Sequence, residues 1–295
     1  MTRGLILFVT TVSLLMNGLR LQIERISHQA HGRVGCAVVL LETGESTDFR
    51  GDERFPMQSV YKLPIGMAVL HEVEGGALNL EKKVRVEQSD LLPLKAHSPI
   101  RDEHPQGGVE FSVRELLRYM VSESDGTASD VLLRLAGGPE QVTAFLRSMG
   151  VNEIVVATSE MEMTQGEQVQ YRNWATPNEM AKLLRMLYEG HGLTSQSRAL
   201  LLQFMTESRT GPRRIKGLLP AGTIVAHKTG TSNTVQGMTR ATNDAGIITL
   251  PDGRHLIVVV FVSDSTANDA TRESVIAKIA RAAWDWSVKP QQQVH

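Results

Sequence analysis

Disulfide staples are excluded at once, because Cys36 is the single cysteine of the chain and no intramolecular bridge can form. With 295 residues the chain has enough material to rely on a buried core instead, as one large domain or two closely packed ones. Charge of one sign is also missing. The 31 basic and 32 acidic side chains leave a net charge of -1, which gives no support to nucleic-acid binding or to attraction by anionic membranes. Long hydrophobic runs are absent too. The apolar stretch from Leu5 to Met16 is about a dozen residues where a membrane span needs roughly 20. Behind the basic start Met1-Thr2-Arg3 it reads as a secretory signal peptide cleaved near Gly18, the competing reading being a buried N-terminal helix. The nine histidines are scattered without H-x-H-x-D or H-E-x-x-H spacing, so neither a metal nor another cofactor is expected. No internal repeat or low-complexity linker divides the chain.

What remains is ordinary globular composition, 41% hydrophobic and 21% charged, laid out in two kinds of segment. Residues 33–55 read as a β-hairpin turning at Glu42-Thr43-Gly44-Glu45, with Cys36 a small buried hydrophobe in its first strand. A run of helices follows. One begins at Ser59, one at the capping box Ser112-Val113-Arg114-Glu115, and others cover 127–136 and the stretch from Pro139 to Gly150. Thr176-Pro177-Asn178-Glu179 predicts a second capping box, with the helix stopping at Gly190, and another helix is expected over 195–207. Segments 222–231, 245–250 and 254–263 are β-rich, the last two joined by the tight turn Pro251-Asp252-Gly253, before an amphipathic helix from Thr271 to Trp286. The order predicts an α/β (α+β) fold in which both chain ends build one antiparallel sheet and an all-α block is inserted between them. The expected division is 1–18 signal peptide, 19–55 plus 208–295 α/β domain and 56–207 all-α domain, with a site in the cleft between the last two.

Three short runs carry chemistry: Ser59-Val60-Tyr61-Lys62, Ser124-Asp125-Gly126 and Lys228-Thr229-Gly230-Thr231. A serine hydroxyl needs a base within reach to become a nucleophile, and on a helix Lys62 shares a face with Ser59. Pro64 removes a helical N–H, so the first turn should be irregular. Lys228-Thr231 follows a predicted strand, where Gly230 permits close approach and the Thr231 amide, paired with that of Ser59, can form an oxyanion hole. Ser124, held between Lys62 and Lys228, would carry a proton to a leaving nitrogen. Each run alone has a plainer reading: a helix cap and a solvated lysine, a turn, or an edge strand blunted by lysine.

Together, in this order, they resemble the S-x-x-K, S-D-N and K-T-G signature of class A β-lactamases and penicillin-binding proteins, with Gly126 standing where the signature has Asn. The resemblance to class A β-lactamases covers nearly the whole mature chain, and its local segments look most like the extended-spectrum offshoot of the class. It implies the β-lactamase/transpeptidase-like fold and hydrolysis of the β-lactam amide of penicillins and cephalosporins through a serine acyl-enzyme. It implies that Leu91-Leu92-Pro93 and His97-Ser98-Pro99-Ile100 form a loop gating the site, with His97 at an aromatic position. Gln168 to Trp174 would end an Ω-shaped loop. Arg214 would be the cation for a substrate carboxylate, the plainer alternative being an exposed loop arginine. Counting back from Thr176-Pro177, Glu160 falls where the family keeps the glutamate that activates the deacylating water, with Glu162 and Glu167 as rivals in the same acidic loop. Lys62 and Glu160 both remain as the acylation base.

The departures are as specific. Thr164 stands where an asparagine is usual. The loop-closing Arg–Asp positions correspond to Thr158 and Asn173, so no ion pair is expected between them. Gly126 removes an amide that would contact the substrate side chain, which bears on substrate range. The resemblance implies a monomeric enzyme, periplasmic or secreted, that acts on a small-molecule β-lactam and keeps no stable membrane association after signal cleavage. Two other readings use the same motifs: a D,D-peptidase acting on peptidoglycan stem peptides, and a non-catalytic β-lactam sensor domain.

Overall fold

The computed structural model describes residues 17–288. Its helices are α1 (17–27), α2 (Lys62–Glu74), α3 (Pro99–Glu103), α4 (Val113–Ser122), α5 (Gly126–Leu135), α6 (Pro139–Ser148), α7 (Glu160–Met163), α8 (Pro177–Glu189), α9 (Ser195–Thr206) and α10 (Asp269–Val288). Its strands are β1 (Arg33–Leu40), β2 (Ser46–Phe49), β3 (Phe55–Pro56), β4 (Lys83–Val86), β5 (Val109–Ser112), β6 (Ile154–Val155), β7 (Trp174–Ala175), β8 (Val225–Thr231), β9 (Thr234–Val235), β10 (Met238–Thr249) and β11 (His255–Ser265). The expected signal peptide lies outside the described residues as far as residue 16. Around the cleavage point Gly18 the chain is already helical, and Leu19, Ile23 and Ile26 of α1 are buried.

The main sheet runs β2-β1-β11-β10-β8, with β9 paired onto β10. Every pairing is antiparallel, and β1 from the N-terminal side lies in register with β11 from the C-terminal side, Cys36 opposite Val260. β11 is central and covered on both faces, which is why Leu256 to Val262 is an unbroken apolar run instead of an alternating one. One face, with Val258, Val260 and Val262, packs on α1 and α10 through Leu19, Ile23, Ile276 and Ile279. The other, with Ile257, Val259 and Phe261, shares a core with α8 and the helical block. Full burial of each such side chain stabilises by about 1.5–3 kcal/mol, so two filled faces hold the sheet without covalent staples. Cys36 is one of the buried residues, and burial pushes its thiol far above the usual range. No helix among the described residues is long and apolar enough to cross a membrane.

Local signals read from the sequence mostly hold. Ser112 and Glu115 make both bonds of their capping box, and α8 stops at Gly190 with φ 84°. The second capping box is only half made. Thr176 caps the Glu179 amide, but Glu179 turns to the Asn152 amide, while Thr176 N–H pairs with the Glu153 carbonyl. The largest difference is β10, which begins at Met238 and not near 245. Its first half is polar, and the fold satisfies that polarity side chain by side chain. Asn243 donates to the Pro56 and Met57 carbonyls and accepts from the Val262 amide, Thr242 accepts from Arg272, and Asp244 pairs with His227.

Candidate active site

The candidate nucleophile, Ser59, sits on a tightened turn. Gln58–Tyr61 is a 3-10 helix that runs straight into α2 at Lys62. In 3-10 geometry side chains three apart eclipse, which stacks Lys62 over Ser59 and leaves Nζ 3.1 Å from Oγ. Pro64 falls in the first turn of the α-helix proper, where an N–H has no helical acceptor to lose. The expected irregular first turn is therefore this 3-10 segment. Gln58, just before the nucleophile, has φ 47°, a conformation that costs a non-glycine residue energy and that recurs at functional sites. It is held there by a 2.6 Å bond from Gln58 Nε2 to Gln170 Oε1.

Lys62 is buried, and its ammonium donates to the Ser124 carbonyl at 2.7 Å. Ser124 itself has φ 60°, and its hydroxyl accepts from Lys228 Nζ at 2.8 Å. The two lysines thus grip one serine from opposite sides, Lys62 by the backbone and Lys228 by the side chain. Lys228 points inward from β8 and is fully buried; burial and the neighbouring Lys62 charge push its ammonium well below the usual lysine range. Asp125 sets the turn. Its carboxylate takes the Ile100 and Ala128 amides and the Ser98 hydroxyl, tying the gating loop to the start of α5.

Gly230 differs from expectation in what approaches it. A Cβ there would come within 2.4 Å of the Met57 carbonyl oxygen and 3.2 Å of the Ser59 nitrogen, so the close neighbour is the backbone of the nucleophile turn. That contact brings Gly230, the residue before Thr231, against the turn that carries the Ser59 amide. Thr229 Oγ1 lies 2.6 Å from Thr210 Oγ1. Arg214 is buried, which removes the exposed-loop reading. Its guanidinium donates to Thr231 Oγ1 at 2.7 Å and to the Gly230 and Asn243 carbonyls, and it pairs with Glu273 at 3.4 Å.

The acidic loop separates its three glutamates. Glu162 closes a capping box on Ser159 and accepts from Thr158. Glu167 pairs with Arg240. Glu160 alone turns to the nucleophile, with Oε1 2.8 Å from Lys62 Nζ. Among the described residues no donor makes a well-aligned hydrogen bond to that buried oxygen, so its contact with Lys62 is an ion pair. Asn173 does the work expected of an ion pair, accepting from the Ala157 and Thr158 amides and donating to the Thr158 carbonyl. The Thr164 hydroxyl donates to the Met161 carbonyl, and the Thr164 carbonyl accepts from Lys95 of the gating loop.

That gating loop explains Gly126. A Cβ on Gly126 would meet Leu92 Cδ1 at 2.3 Å and the His97 carbonyl oxygen at 3.1 Å. The room an asparagine side chain would need is filled by Leu92. His97 is exposed, with Nε2 2.9 Å from the Glu123 carbonyl oxygen beside Ser124.

Sequence reasoning missed Asp130. From α5 its carboxylate accepts the Glu160 and Met161 amides at 2.7 and 2.8 Å, capping α7 and so aiming Glu160. Burial raises this carboxyl to about 7 against its two amide bonds. The available signal was one acid inside a helix whose neighbours Ala128, Val131, Leu132 and Leu133 are core.

Residues 18–287 match the β-lactamase enzyme family. The chain is 44% identical over 273 residues to the extended-spectrum β-lactamase PER-1 of Pseudomonas aeruginosa, covering 92% of this chain and 88% of that protein. It is 40% identical to β-lactamase VEB-1 of the same organism, covering 92% and 90%. Among solved structures, a β-lactamase from Chitinophaga pinensis superposes with a TM-score of 0.89 at 43% identity, covering 92% of this chain and 99% of the other. The TLA-1 extended-spectrum β-lactamase gives 0.90 at 41% identity, covering 93% and 99%.

Proposed function

The chain belongs to the β-lactamase enzyme family, and from that membership we infer that it is an extended-spectrum serine β-lactamase of class A. It opens the β-lactam amide of penicillins and cephalosporins and thereby confers antibiotic resistance. We propose that Ser59 Oγ attacks the lactam carbonyl while its one proton is taken up by Lys62 or by Glu160, whichever is the acylation base. The developing oxyanion takes the amides of Ser59 and Thr231, a kind of contact worth about 100- to 1000-fold in rate per donor. The carbon–nitrogen bond breaks as Ser124, gripped by Lys228, protonates the leaving nitrogen and is recharged with the proton taken from Ser59, which returns Lys62 and Glu160 to their starting states. Glu160 then removes a proton from water, the water attacks the ester, and Ser59 leaves with its proton restored. Lys228, Thr229, Thr231 and Arg214 form the cationic and hydroxylic wall for the substrate carboxylate. Gly126, His97 and Thr164 line the side toward the gating and Ω-shaped loops.

The observation that supports these roles best is that Lys62 Nζ lies 3.1 Å from Ser59 Oγ and 2.8 Å from Glu160 Oε1, joining nucleophile and water-activating base through one ammonium. The site lies between a sheet domain (19–55 with 208–295) and a helical domain (56–207), a division we propose with it. We propose further that the enzyme acts as a monomer, periplasmic or secreted. Steady-state nitrocefin hydrolysis tests the roles: Ser59→Ala should lose about 10⁴-fold or more. Undiminished hydrolysis in that variant would sink the assignment. One acylation by penicillin followed by slow release in the unmodified protein would indicate the peptidase reading instead.

A further inference from the structure

Two anchors of the Ω-shaped loop differ in kind. At its start, α7 and Glu160 are held by the buried Asp130 carboxylate. At its end, the short helical turn Glu167–Arg172 leans against the sheet through charges. Arg240, near the start of β10, contacts the Glu167 carboxylate with Nε and reaches Asp264 of β11 with Nη1 at 3.5 Å. Asp264 also accepts from the Tyr171 hydroxyl and lies 3.9 Å from Arg33 of β1. Two loop residues and three strands thus meet at one guanidinium and one carboxylate. No other cation is paired with Glu167 among the described residues, whereas Asp264 has Arg33 as well. Among the described residues Arg240 is therefore the cation that ties Glu167 to the sheet, while the Tyr171–Asp264, Gln58–Gln170 and Asn173 bonds hold the neighbouring part of the loop.

We propose that Arg240 is a positioning residue for the release step: by holding Glu167 and Asp264 together it keeps the loop at the distance from Ser59 that Glu160 needs to activate water. The proposal rests on Glu160 as the deacylation base and on Lys62 as the group that takes the Ser59 proton during attack. A base displaced by an ångström loses most of its effect, while a nucleophile on another element is untouched. The acyl group should therefore still form at its normal rate and leave slowly.

Rapid-quench mass measurement of the intact protein during turnover of benzylpenicillin and an oxyimino-cephalosporin separates the two steps. Arg240→Met and Glu167→Gln should each slow release about five- to tenfold, with acylation within about twofold of the parent. Arg240→Lys should recover most of the loss. The double variant should be no slower than the worse single one, since both changes remove one link. Glu167 is partly exposed, so its amide replacement keeps the fold if Arg240→Met does not. Parental release rates in both single variants, acylation falling in step with release, or losses that multiply in the double variant would each overturn the proposal. Glu160→Gln, run beside them, tests the underlying reading separately. Turnover in that variant removes Glu160 from its role, whereas a trapped Glu160→Gln with normal release in Arg240→Met removes only the clamp.

Discussion

The two walls of the cleft are built on opposite terms. The wall of Lys62, Ser124, Asp125 and Lys228 is buried throughout, and its polar groups are locked to one another by bonds of 2.7–2.8 Å among Lys62, Lys228 and Ser124. The facing loop, 157–173, hangs on one buried carboxylate, one asparagine and a set of partly exposed charges. Buried networks are rigid because an unpaired group there costs its full desolvation, whereas exposed pairs contribute little each and are screened by salt. On the proposed roles, attack and proton delivery to nitrogen sit in the stiff wall, and activation of water sits in the adjustable one. Release of the acyl group should be the step that responds to sequence changes outside the core.

The sharpest way to expose that division is Glu160→Gln. Acylation by penicillin should persist while release slows by about 1000-fold, leaving a covalent adduct visible by mass. Rapid turnover in this variant would mean the two walls do not divide the steps. Next comes Asp130→Asn, which leaves one acceptor for two loop amides and should slow release about tenfold. Its pH dependence gives a second readout. The folded carboxyl holds its proton to about 7, against an ordinary value of 3.8. Between those values the folded state binds a proton that the unfolded chain has released, so this group costs stability that grows as pH rises across the window. In Asp130→Asn that component is gone, and the difference in Tm from the parent should move in the variant's favour between pH 4 and 7. Identical slopes would return Asp130 to an ordinary carboxylate. The smallest effect is expected where the walls touch. Gly126→Asn forces Leu92 aside and should cost about 1–3 kcal/mol in thermal unfolding, with Leu92→Ala in the same chain recovering part of it.

Much of this layout is legible in the residues alone. Capping and stop signals at Ser112, Thr176, Pro177 and Gly190 bound their helices because those signals act within one turn of chain. Ser59 and Lys62 are readable for the same reason, being partners three residues apart. β10 was read too short because Thr239 to Asp244 is polar, and only distant partners such as Pro56, Arg272 and His227 make that polarity tolerable in a strand. Asp130 escaped notice because its ligands, the amides of Glu160 and Met161, lie 30 residues further on.

The residues alone point to a serine with an adjacent amine and a second lysine on a strand, together with a helical block between two halves of a sheet. It took the closed fold to show which of Glu160, Glu162 and Glu167 meets Lys62, that Arg214 is buried against Thr231, and that Leu92 fills the space beside Gly126. Short-range preferences depend on neighbours along the chain and survive in a list of residues. The direction of a side chain in a cleft depends on the register of segments 30 to 100 residues apart, which exists only once the core has closed.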